Sequence, residues 1–526
     1  MLALIKSKHL KVLFASGLVL VGLSQLAAQH TVEQWHPLDI DLYSSSEYIN
    51  PYQDVGVWAE FVGPNGQKLS IPGFYRGEDR WTIRFSPTAI GRWQFATSSG
   101  DEHLNGQSGE VICRPNTNPR VHGGIQIDQD HPRHFRFEDG TRFFLLGTEI
   151  NWLGLVDMTD PNIVGARQIL DMYAEHGFNT VLLNAYANDT RWRTGHSEPT
   201  DWGPPTLHAW PGSPGDYDHS RLHPDYWDHF DKVVHAMFER GMNAYLYFKV
   251  YNKLVDWPAK GSPEDHLYFS HVVARYQAYP NIIWSFSKES YYEPDHAYIR
   301  QMLELIKAED AYQRLRTTHD DNGLGIDFAF VGDHSDILDF YTDQTQGDIY
   351  NNSIEDYLRK EWPISNMEPG YQGGNDGTSS YQGDNISAEK LLKRIYTVIM
   401  AGGYATYYYT WHAWDVVRTD EKPEGLVYYK YLAEFFARTN WYRLSPVETV
   451  VDGPHNHCLS EKGREYIVYL GEGGTTTLPL ENSETAMRGI WMNALTGEEQ
   501  VIEKVTGASI ELTSPWPGSP TLVWIN

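Results

Sequence analysis

Cysteine is nearly missing: Cys113 and Cys458 are the only two in 526 residues. Two thiols cannot build a disulfide framework or a thiolate metal site; one bridge between domains and two buried free thiols both stay open. No HExxH or comparable paired-ligand spacing occurs among the 22 histidines, which argues against a metallohydrolase and for no metal or other cofactor. No GxSxG elbow is present, so a serine hydrolase of that type is excluded. Basic stretches are also lacking. The formal charge is −27, a surface that repels nucleic acid and offers no phosphate-tracking groove. After the first 28 residues no apolar run is long enough to span a membrane. Low-complexity segments are absent.

That first stretch is itself distinctive. MLALIKSKHLK carries Lys6, Lys8 and Lys11, VLFASGLVLVGL is uncharged and apolar, and SQLAA offers small residues for cleavage near Ala28. This is the pattern of a secretory signal peptide, so a secreted or periplasmic protein is expected. Aromatics are abundant, with 18 Trp, 34 Tyr and 20 Phe. Most of them would fill cores, although flat apolar ring faces also suit sugar rings.

Three regions follow. From 29 to 118, VGVWAEF and WTIRF alternate apolar and polar residues between the turns GPNGQ and SPTAIG, which predicts a small antiparallel β-sandwich. From 119 to 445, helical periodicity, a glycine or proline stop and a short apolar run recur in that order. ILDMYAEHGFNTVLLNAY, VVHAMFERGMNAYLYFKVY and HVVARYQAYPNIIWSFS are the clearest units. Further strands are expected at 143–148, 314–319, 337–342, 363–367 and 404–411, making eight and hence a (β/α)8 TIM barrel. From 446 to 526 the pattern returns to β, with REYIVYL, TTTLPL, GIWMNA and TLVWIN, and predicts a second sandwich. The fold class is therefore multidomain α/β.

Barrel chemistry sits at the carboxyl ends of strands. IIWSFSKESYYE delivers Glu289 just past the fourth strand, and WPISNMEPGYQGG delivers Glu368 just past the seventh. A buried-looking strand that ends on a carboxylate needs a partner or a use for it. Glycoside hydrolysis needs two carboxyls, a proton donor to the leaving oxygen and a nucleophile or base. Other polar and aromatic residues follow the remaining strands: Glu149, Asn151 and Trp152 the first; Asn184, Tyr186 and Asp189 the second; Lys249, Tyr251 and Asn252 the third; His319 and Asp320 the fifth; Trp411, His412 and Trp414 the eighth. Of these, Asn151, Trp152, Tyr186, Lys249, His319, Trp411 and Trp414, together with Tyr371, are the candidate sugar contacts. The Pro- and Trp-rich segment 188–220 and the loop 371–385 are expected to wall the cleft.

These residues carry a resemblance. RFFLLGTEINW, NIIWSFSKE, PISNMEPGY and the aromatic eighth strand are similar to the apiosidase-like glycoside hydrolases, as are FSPTAIGRWQF to the family's N-terminal domain of unknown function and CLSEKGREYIVYL with WMNALTGE to a C-terminal domain named for collagen binding. The resemblance implies a retaining glycosidase with Glu289 as acid/base and Glu368 as nucleophile, the carboxyls roughly 5 to 5.5 Å apart. The wider superfamily usually has asparagine immediately before the acid/base; here Lys288 stands there. Its cation implies either a solvated surface charge or a contact to an anionic sugar. The substrate class expected is a plant or algal polysaccharide or its oligosaccharides. A non-catalytic carbohydrate-binding protein on the same scaffold is the alternative, and adhesion to collagen rests on a domain name alone. Oligomeric state is not legible.

Overall fold

A computed structural model describes residues 28–186, 205–320, 335–373, 385–413, 417–447 and 455–526. Its centre is an eight-stranded parallel sheet. The strands are β1 (Leu146–Glu149), β2 (Thr180–Asn184), β3 (Asn243–Val250), β4 (Ile282–Lys288), β5 (Arg316–Thr317), β6 (Tyr341–Asp343), β7 (Ile364–Asn366) and β8 (Tyr404–Tyr407). They pair in the order 5-4-3-2-1-8-7-6. A parallel bridge between His319 and Thr342, with Thr342 Oγ1 donating to Thr318 O at 2.5 Å, joins β5 to β6 and closes the ring. This is the (β/α)8 barrel the helix–stop–strand rhythm predicts.

The rhythm has local causes. Helices Val164–Glu175 and Pro224–Glu239 end at Gly177 (φ +89°) and Gly241 (φ +68°), left-handed positions where a side chain would be strained. Helix Pro263–Tyr276 begins with proline in its first turn and Ser262 as cap, accepting from Asp265 N at 3.2 Å, which satisfies an otherwise orphaned amide. Along the strands the period of two sorts the faces. Phe248 stacks on Phe269 of the surrounding helix layer at 4.6 Å, while Tyr247, one residue earlier, stacks on His319 at 6.1 Å.

The amino end of the barrel is stoppered by a small antiparallel sheet, Ile125–Ile127, Phe135–Phe137 and Arg142–Phe143. Phe135 meets Phe340 and Tyr404, which lie at the amino ends of β6 and β8, at 5.2 and 5.3 Å. Only the carboxyl end remains for a site.

Before the barrel lies a sandwich of a five-stranded and a three-stranded sheet, its first strand running Ala28–Glu33. Trp81, Ile83, Phe85, Phe61 and Trp93 fill its core. After the barrel comes a single six-stranded antiparallel sheet bent through its long strands Thr475–Asn493 and Glu499–Thr513. Cys113 and Cys458 are free thiols, buried in separate cores. Among the described residues no helix is long and apolar enough to cross a membrane.

Candidate active site

Glu289 leaves the end of β4 in a left-handed conformation, φ 55° and ψ 53°. A non-glycine residue held there carries strain of order 1 to 3 kcal/mol, so the surroundings must enforce it. They do: Ser290, the next residue, donates from its amide and hydroxyl to His319 O at 2.8 and 2.6 Å, and its hydroxyl also reaches Asp320 Oδ1 at 2.8 Å. The turn is thereby riveted to the end of β5. The Glu289 side chain is buried, and Asn252 Nδ2, beyond β3, donates to its Oε1 at 2.5 Å. Burial pushes this carboxyl up to about 7; Lys288 opposes the rise and the Glu368 carboxylate adds to it.

Glu368 lies two residues beyond β7 and is 2% exposed. Its amide donates to Asn366 Oδ1 at 3.0 Å, and Arg394 Nη1 holds Pro369 O at 2.9 Å, which fixes the backbone on both sides. Each of its oxygens receives a donor: the Tyr371 hydroxyl on Oε2 at 2.5 Å and the Lys288 ammonium on Oε1. Charge-assisted donors of this kind are short and strong.

Lys288 is neither solvated nor turned to an open cleft. It is 1% exposed, and its ammonium lies between Glu368 and Glu149, donating to Glu149 Oε1 at 2.6 Å. Burial alone would depress its pKa, but the two carboxylates more than offset that and hold it above the ordinary lysine value. The expectation that Lys288 faces an anionic sugar is therefore corrected: its charge is already matched inside the protein.

Glu149, at the end of β1, is the third member of this cluster. It is fully buried, accepts also from Tyr408 OH at 3.3 Å, and has no hydrogen-bond partner on Oε2. Burial raises its carboxyl to about 7 against the pull of Lys288. Sequence reasoning placed Glu149 after the first strand without selecting it; standing at a strand end, as Glu289 does, was the available signal. Asn252 was likewise placed after the third strand without being selected, and Tyr408 lay unmarked inside the expected eighth strand, 404–411.

The other candidates divide. Tyr371 and His319 border the glutamates. The His319 ring is buried and held neutral by burial and by the nearby Lys288, and both ring nitrogens lack partners. Asn151 donates to Tyr408 OH at 3.5 Å and its backbone carbonyl accepts from Asn184 N at 3.2 Å, so it braces β1, β2 and β8. Trp152 is buried in the barrel core. Lys249 does not point to the mouth: Asp265 at 2.7 Å and Tyr298 OH at 2.7 Å take its ammonium between β3 and the helices. Tyr186 donates or accepts at Tyr217 OH (2.9 Å) and packs edge-on against Trp210 at 5.1 Å, anchoring the described part of the 188–220 segment. Trp411 covers Arg418 at 3.9 Å. Trp414, Asp189, residues 188–204 and most of the loop after Gly373 lie outside the described residues. Among the described residues no group of His, Cys, Asp and Glu could hold a metal ion.

Comparison with known proteins agrees with this architecture. The profile of the apiosidase-like catalytic domain matches residues 129–470, and that of a domain of unknown function, DUF5060, matches residues 31–100. A Bacteroides vulgatus candidate glycoside hydrolase superposes with TM-score 0.78 at 19% identity, covering 95% of this chain and 100% of its own. A glycoside hydrolase family 5 protein of the same organism gives TM-score 0.58 at 15% identity, covering 77% and 94%. At such identities the likeness speaks for the fold. No curated protein matches.

Proposed function

Since the chain belongs to the apiosidase-like glycoside hydrolases, and is thus a glycosidase, we propose that it works by a retaining double displacement with Glu368 as nucleophile and Glu289 as acid/base. The observation that carries this reading is the contrast between the two environments. Glu289 sits where burial favours the protonated form, which an acid needs. Glu368 has a donor on each oxygen, including a buried ammonium, which suits a group that must attack as an anion. Two carboxyls set to different tasks by their surroundings are what this chemistry requires.

The substrate we propose is a plant or algal polysaccharide or an oligosaccharide derived from it, met outside the cytoplasm after export. Lys288 supplies no reason for an anionic sugar. Orphaned polar atoms on His319 and Glu149 beside the pair favour a ligand rich in hydroxyls.

Glu368→Gln keeps the shape and removes the nucleophile, so turnover should fall by about three orders of magnitude or more while the fold survives. Glu289→Gln should cost much less on aryl glycosides with good leaving groups than on natural ones, because only proton donation is lost. NMR of the first-formed anomer reads retention directly. Inversion, or near-normal activity of Glu368→Gln, would end the reading.

A further inference from the structure

Glu368 enters the proposed reaction as an anion and is consumed as one. In the first half its oxygen bonds to the anomeric carbon, the bond from that carbon to the leaving oxygen breaks, and the Glu289 proton passes to the leaving oxygen. In the second half water adds to the anomeric carbon, its proton goes to Glu289, and Glu368 departs as a carboxylate. Between the halves Glu368 is a neutral ester and Glu289 carries the charge.

Lys288 feels this exchange at hydrogen-bond distance. It is 1% exposed and bonded to Glu368 and Glu149. Esterification removes one of its two anions while the ammonium stays buried, and a buried charge without a partner is strongly disfavoured. Two escapes would be open to it. It could shed its proton, or turn to the new carboxylate of Glu289, its neighbour in the chain. The second would occupy the lone pair that has to take the proton of the attacking water.

We propose that Glu149 is a positioning residue that holds the Lys288 ammonium through this interval, so that Glu289 stays free to act as base. This rests on the reading of Glu368 as nucleophile. The geometry fits the task. Glu149 Oε1 lies 2.6 Å from Lys288 Nζ, comes from a different strand than either acting glutamate, and is steadied by Tyr408 OH at 3.3 Å. It forms no bond to the sugar in either half, and loss of the neighbouring Glu368 charge on esterification favours its anionic form.

The test separates the two halves. With a dinitrophenyl glycoside cleaved by the wild type, Glu149→Gln should release about one equivalent of phenol in a burst and then turn over about tenfold or more slowly. KM should fall in parallel with kcat, and the glycosyl–Glu368 adduct should appear in the intact mass. Glu149→Asp, which keeps the charge, should restore most of the steady rate. Should Glu149→Gln not fold, Tyr408→Phe should show the same split in weaker form. First-turnover and steady rates falling together, without a burst, would overturn the inference while leaving Glu368 as nucleophile. Inversion of configuration, or activity surviving in Glu368→Ala, would instead remove the reading beneath it.

Discussion

Glu289 and Glu149 each have a carboxyl lifted by burial to about 7, well above the ordinary glutamate value of 4.5. For catalysis the sign is simple. An acid must hold its proton, so kcat/KM should decline as pH rises through about 7, and Glu289→Gln should abolish that limb on activated glycosides. For stability the sign also favours acid. A carboxyl whose folded pKa exceeds its unfolded one contributes fully below the unfolded value and loses that contribution as pH climbs to the folded one. Glu289→Gln removes this cost, so the variant should melt above the wild type at pH 8 and converge on it near pH 5 in a thermal-shift series. A wild type that melts higher at pH 8 would contradict the assignment. The proposed acid/base is thus a residue the fold would be more stable without.

At the scale of elements, the strand and helix pattern was readable because it repeats and because local signals mark it. Gly177, Gly241 and Ser262 terminate or start helices for reasons confined to a few neighbouring residues. Glu289 and Glu368 could be singled out because a charge at the end of an apolar strand contradicts its own surroundings. Lys288 and Lys249 were misread because their partners stand on other elements: Glu149 is 139 residues from Lys288, and Tyr298, which shares the Lys249 ammonium with Asp265, is 49 from Lys249. No spacing rule reaches that far. The same blindness hid a buried ion network joining the first sandwich to the barrel. Arg84, on strand Arg80–Phe85, bonds Asp231 at 2.9 Å and Asp39 at 2.6 Å, while Arg275 of helix Pro263–Tyr276 bonds Asp231 at 2.8 Å. Burial would raise the Asp231 pKa, yet Arg275 and Arg84 overcome it and hold it well below the usual carboxylate range. Asp231→Ala would take the shared carboxylate from two buried guanidinium groups, leaving Arg84 on Asp39 and Arg275 on Asp228, and should cost about 3 kcal/mol, read as a large drop in melting temperature at neutral pH. A loss below about 0.5 kcal/mol, the scale of surface pairs, would show that the network is not what fastens the two regions.

The whole molecule is tied together at its other end by apolar alternation. In strands Asn456–Glu461 and Glu465–Leu470, Cys458, Tyr466 and Val468 fill the last domain's own core, while Leu459, Ile467 and Tyr469 join the core of the barrel. Val523 and Leu522 divide in the same way. Tyr469 stacks on Tyr396 of helix Ala388–Met400 at 4.9 Å, and His457 on Tyr350 at 3.9 Å. Both faces of the sheet are therefore occupied. Removing residues 446–526 should uncover this seam and give an insoluble or dye-binding barrel, measured as soluble yield and as fluorescence of a hydrophobic probe. A soluble, active truncation would refute the seam. The two-sided sheet also decides how this region can be inherited. A module that lends one face to its neighbour cannot be lifted out as a cassette. It and the barrel must change together, so substitutions along Leu459, Ile467 and Tyr469 should be tolerated only with compensating ones across the seam.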